Sequence, residues 1–195
     1  MSLTVVDQNG VCMIRFSRPE IRNPLSTPVI ERLNEIVSKI KNRTDIEGLI
    51  FTGTADIFAS GADLREITKL DPVSAREFAL YGQTLMNDIA ALPIPTFAAI
   101  NGYCFGGALD LALACRHRIA SPNATFSHPG AGLGIITGWG GTQRLPRLVG
   151  SGNALEMIFT ASPIDAKRAF AIGLVEKIAD DPLATALKSE LTIRV

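Results

Sequence analysis

The sequence predicts an α/β domain with mainly parallel, buried sheets. Two observations carry that expectation. Strand-like runs alternate with helical periods along the chain, and its 195 residues suit one well-cored domain, with no internal repeat, low-complexity segment or linker to divide it.

The elements follow in order. LTVVD and VCMIRF flank Asn9-Gly10, a pair that accepts the positive φ angles of a type I′ turn, so the chain opens with a hairpin. From Ile30, apolar side chains recur at Leu33, Ile36, Val37 and Ile40, and Pro28 suits the first turn of the helix they define. GLIFTG at 48–53, IPTFAAI at 94–100 and HRIA at 117–120 read as strands. SGNALEMIFTA and DAKRAFAIG read as short helices, the second capped by Asp165 and stopped by Gly173, and LVEKIA reads as a return strand.

Composition narrows the function. Lys+Arg and Asp+Glu number 19 each, leaving no basic stripe for nucleic acid. Three cysteines, Cys12, Cys104 and Cys115, form no CxxC pair and leave one over if two bridged, as expected of a reducing, cytoplasmic compartment. The N-terminal MSLTVVDQNG lacks the basic start and apolar core of a signal peptide, and no window has the 18 or so apolar residues of a membrane span. A charged share of 19% beside an apolar share of 47% predicts that some surface is buried against another subunit.

Two loops share one design: a strand, small residues, then a helix. They are FASGADLREI at 58–67 and NGYCFGGALDLALA at 101–114. Glycine lets a ligand approach the backbone, and amides at a helix N-terminus point outward and favour negative charge. Two such ends facing one point would hold an oxyanion; read alone, the glycines equally serve as tight connections.

Together with RPEIRNPL at 18–25, FSHPGAGLG at 126–134 and GGTQRLPRLVG at 140–150, these blocks occur in an order that resembles the crotonase superfamily, the enoyl-CoA hydratase/isomerase family. The resemblance implies a crotonase-like ββα superhelix, with residues 1–180 as an acyl-CoA-binding core and residues 181–195 as a short C-terminal helical tail. It implies that the amides of Ala62 and Gly107 form an oxyanion hole for a thioester carbonyl. Ile21 and Arg22, and the segment Ala59, Gly61, Ala62, Asp63, Leu64 and Arg65, would cradle coenzyme A, with Arg22 near a phosphate. The substrate would be an acyl-CoA thioester, its coenzyme A the only cofactor, and the assembly a homo-oligomer, with a trimer favoured.

Departures from the family pattern matter equally. Hydratases of the family carry one carboxylate three residues after the oxyanion-hole glycine and a second after the proline of FSHPG; this chain has Asp110 and Gly130 there. With one acid lost, hydration should be weak, hydratase, isomerase, decarboxylase and thioesterase chemistry all stay open beside binding without turnover, and glutamates at 110 and 130 should raise hydration. Asp110 reads either as the one remaining proton-transfer residue or as a first-turn aspartate complementing the helix dipole, worth about 0.3 to 1 kcal/mol. That dipole favours the anion, so a catalytic Asp110 is expected to act as a base. Gly138 occupies a place where some family members keep an aspartate. His128 matches a family histidine without a role, Cys104 reads as a small core residue, and Trp139 as packing. No residues show metal-ligand spacing. The sequence ends at LTIRV, where family members usually continue into helices that close the acyl pocket, so that helical region is expected to be reduced or absent.

Overall fold

The computed structural model describes residues 2–193. The chain opens with β1 (Leu3–Gln8) and β2 (Val11–Phe16), paired antiparallel around Asn9 and Gly10 at φ 51° and 78°. The positive angles are those a type I′ turn requires. After a 3-10 turn at Pro19–Ile21 come β3 (Pro24–Leu25) and α1 (Thr27–Ile40), whose buried side chains Ile30, Leu33, Ile36, Val37 and Ile40 are those the periodicity identifies. The first glycine loop lies between β4 (Gly48–Thr52), β5 (Ile57–Ala59), β6 (Gly61–Ala62) and the single turn α2 (Leu64–Ile67).

Helix α3 (Pro72–Ala90) follows, then β7 (Thr96–Ile100), β8 (Tyr103–Phe105) and α4 (Gly107–Ala114), which carry the second glycine loop. The chain continues through β9 (His117–Ala120), β10 (Thr125–Ser127), a 3-10 turn at Pro129–Leu133, α5 (Gly141–Val149) and α6 (Ser151–Thr160). It ends with β11 (Ile164–Asp165), α7 (Ala166–Ala171), β12 (Lys177–Ile178) and α8 (Pro182–Ile193). The Asp165 carboxylate caps α7 by accepting from the Arg168 amide at 2.7 Å, as its position in the sequence predicts.

The larger sheet has the order β1-β2-β4-β7-β9-β12 and is parallel after the first pair; a second, β11-β10-β8-β5, is antiparallel only at β11. Strands β4 and β7 are buried along their whole length, as parallel strands covered on both faces must be. One face packs on α1, α3 and α4; the other meets α8, where Ala186 joins Val11, Ile50, Phe97 and Ile119. Residues 194–195 of the expected tail lie outside the described residues. The seven residues of α4 from Ala108 to Ala114 are all buried, so this helix runs through the interior.

Candidate active site

A cleft of about 890 Å³ opens where the two glycine loops meet. Its walls bring together Ile21, Arg22, Ala62, Asp63, Leu64, Arg65, Gly107, Asp110 and Gly130. Ala59 and Gly61 stand outside that lining: Ala59 is core within β5, and Gly61 lies behind the wall against α4. At Gly61, with φ +85°, a Cβ would fall 2.6 Å from the Gly107 nitrogen and 2.7 Å from the Phe105 carbonyl oxygen. Only glycine lets the loops approach so closely. The Ala62 nitrogen in turn lies 3.4 Å from where a Gly107 Cβ would sit, so the two amides are neighbours. Gly107 is the first residue of α4, where an amide has no acceptor within its own helix.

The lining combines charged and apolar side chains. Asp63 caps α2 by accepting from the Arg65 amide at 2.9 Å and pairs with the Arg65 guanidinium at 2.6 Å. The guanidinium of Arg22 stands 5.6 Å from the centre of the Tyr103 ring. Leu70, Phe78, Leu133, Ile135, Ile136 and Ile158 supply apolar walls, with Leu133, Ile135 and Ile136 exposed. Trp139 both packs and lines the cleft: it is buried, its ring lies 5.3 Å from that of Phe78, and it fits against Gly82 and Gly107. Cys104 is wholly buried, and burial pushes its thiol well above its ordinary range, which fits a core residue rather than a nucleophile.

Asp110 faces the cleft from the first turn of α4 although it is only 1% exposed. Its Oδ2 accepts from the Thr137 hydroxyl; its Oδ1 has no hydrogen-bond partner and lies 3.7 Å from His128 Nε2. Room for this carboxylate comes from Gly141, where a Cβ would sit 2.2 Å from Oδ1. Burial pushes the carboxyl up to about 7, against the opposing pull of the Thr137 hydroxyl, the Trp139 and Gly141 amides and the Arg144 charge. The helix dipole alone would hold Asp110 ionised; desolvation outweighs it. A carboxyl near neutrality can both take and return a proton.

His128 is 2% exposed, and neither ring nitrogen has a hydrogen-bond partner. Burial lowers it to about 4, so it is neutral at pH 7 and forms no ion pair with Asp110. Gly130 is more than a lost acid. The Ile135 amide donates to the Gly130 carbonyl at 3.0 Å, and a Cβ at 130 would lie 2.7 Å from the Ile135 carbonyl oxygen. A glutamate there requires the loop backbone to move, so restoring a second acid is not the simple substitution the sequence implies. Gly138 also lines the cleft, its carbonyl accepting from Gln83 Nε2 at 2.7 Å. Thr137 carries no signal in the sequence: 27 residues separate it from Asp110, and only the fold of the 129–139 loop joins them.

Among the described residues no group of three or more His, Cys, Asp or Glu is placed to hold a metal ion, and no helix is long and apolar enough to cross a membrane. The model of the enoyl-CoA hydratase/isomerase family matches residues 6–191. The chain is 41% identical over 172 residues to a crotonyl-CoA hydratase of Syntrophomonas wolfei, covering 88% of this chain and 66% of that protein. It is 37% identical over 178 residues to a short-chain-enoyl-CoA hydratase of Clostridium acetobutylicum, covering 90% and 68%. The chain thus spans about two thirds of the length of these relatives. The structure of an enoyl-CoA hydratase from Bacillus anthracis superposes with a TM-score of 0.94 at 35% identity, covering 100% of this chain and 77% of that one. An enoyl-CoA hydratase from Thermoplasma volcanium gives 0.93 at 32%, covering 99% and 77%.

Proposed function

Because the chain belongs to the enoyl-CoA hydratase/isomerase family, we propose that it adds water to the double bond of a short 2-enoyl-CoA thioester. The observation that carries this reading is Asp110: a buried carboxyl near pKa 7 that faces an apolar cleft three residues after Gly107, beside the Ala62 amide. The amides of Ala62 and Gly107 would receive the thioester oxygen, and each such donor is worth about 3 to 4 kcal/mol of barrier. Negative charge then moves onto that oxygen as water attacks Cβ. Asp110 accepts the water's proton and returns it to Cα, so one group performs both transfers. Arg22 and Arg65 in the lining suit phosphate groups of coenzyme A, and the reaction draws on no further cofactor. The names of the relatives favour hydration over double-bond migration, although the same enolate serves both. The three buried, unpaired cysteines fit work in the cytoplasm, and a homo-oligomer, with a trimer favoured, fits the exposed apolar side chains of α6 and α7.

Loss of absorbance from crotonyl-CoA tests the proposal. The wild type should hydrate it with a rate that rises as Asp110 ionises through pH 7, and Asp110→Asn should lose about 10² to 10⁴-fold. Gly130 favours a second reading, binding without turnover. Tight acyl-CoA binding by calorimetry with no hydration above the Asp110→Asn background would select it.

A further inference from the structure

Among the described residues, the buried side-chain polar atoms that lack partners are Asp110 Oδ1, His128 Nδ1 and His128 Nε2, and both residues line the cleft. Native interiors rarely leave such atoms unbonded, and two of them facing each other, Nε2 and Oδ1, beside a cleft indicate a polar ligand. Asp110 Oδ1 and His128 Nε2 lie 3.7 Å apart, too far for a direct hydrogen bond but a span that one shared water bridges once the cleft wall yields to admit it, since both atoms are closed off as the structure stands. We infer that His128 is a second catalytic residue, holding the attacking water against Asp110. The inference rests on the hydration reading above. Nε2 accepts one water hydrogen while Oδ1 accepts the other, which leaves an oxygen lone pair free for Cβ. As the O–Cβ bond forms, the proton passes to Asp110 and the double-bond electrons move to the thioester oxygen. Collapse of that enolate draws the same proton from Asp110 to Cα. His128 remains neutral throughout, as a group lowered to about 4 by burial should. The other titratable or charged groups facing Asp110 are Cys104, a neutral thiol, and Arg144, while Thr137 holds the second carboxylate oxygen. A histidine here supplies the water contact that Gly130 cannot.

Two assays with crotonyl-CoA and butyryl-CoA separate the roles. Exchange of the butyryl-CoA α-proton with deuterium needs Asp110 and the thioester contacts but no attacking water. His128→Leu should lower kcat for hydration about 100-fold, with KM little changed and α-proton exchange at the wild-type rate. His128→Gln, which keeps a hydrogen-bonding head, should recover most of the hydration. Wild-type hydration by His128→Leu overturns the inference, as does an equal fall in hydration and exchange, which would mark a structural role. A wild type that hydrates no crotonyl-CoA overturns the hydration reading itself, and with it the inference.

Discussion

Asp110 and His128 are shifted in opposite directions by one cause, since burial disfavours the charged form of each. Their effects on stability oppose one another. Asp110 rises from 3.8 unfolded to about 7 folded, so its contribution is full below pH 4 and is lost as pH rises through 7. His128 falls from 6.5 to about 4, so its contribution is full above pH 6.5 and is lost as pH falls toward 4. Each slope is at most about 1.4 kcal/mol per pH unit. Urea unfolding across pH 4 to 7 should therefore show a nearly flat wild type with respect to this pair. His128→Gln should grow less stable as pH rises, and Asp110→Asn should grow less stable as pH falls. Parallel curves for the three proteins would show that neither group titrates as its burial demands. At this scale the sequence marks Asp110 through its spacing from Gly107, and His128 through its block, but their burial and mutual approach depend on the loop that carries Thr137.

Secondary structure is most legible where turn chemistry, apolar spacing or a cap marks it. The Asn9-Gly10 hairpin, α1, β9 and α7 follow from turn chemistry, apolar spacing and caps. Strands β3, β6 and β11 have two residues each, too few to show any alternation, and they exist because neighbouring backbone is there to pair with. Helix α3 shows no clear apolar period in the sequence because only Gly82, Leu85, Met86 and Ile89 are buried, all in its second half. Gly82 has a purpose that no pattern discloses: a Cβ there would lie 2.2 Å from the Trp139 ring, so α3 must present a glycine to admit the indole beside Gly107. Gly82→Ala should displace Trp139 into the cleft and cost about 1 to 3 kcal/mol through overpacking. Trp139 is the one tryptophan of the sequence, so its fluorescence reports the change directly as a red shift with weakened acyl-CoA binding. An unchanged emission maximum with wild-type binding would mean that α3 yields instead.

The molecule as a whole encloses its core on the sheet side and leaves apolar side chains outward on its late helices. Leu155 and Phe159 stand four residues apart on one face of α6, 53% and 71% exposed, and Phe170 on α7 is 53% exposed. Single exposed apolar groups are ordinary, but a phenylalanine so exposed beside a leucine on the same helix face is a candidate contact between subunits. The charged share of 19% points the same way, because a chain with few charges has less means to keep such a face in water. A second copy is the occupant expected here, and cyclic closure into a trimer leaves no such face free. Light scattering across a concentration series should therefore find an oligomer at micromolar protein. Phe159→Glu places a charge in the contact and should shift the population toward monomer, while the cleft and its Asp110 site keep their fold. A wild type that stays monomeric over the whole series would show that these side chains face solvent in the working protein, and that α6 and α7 only finish the core beneath them.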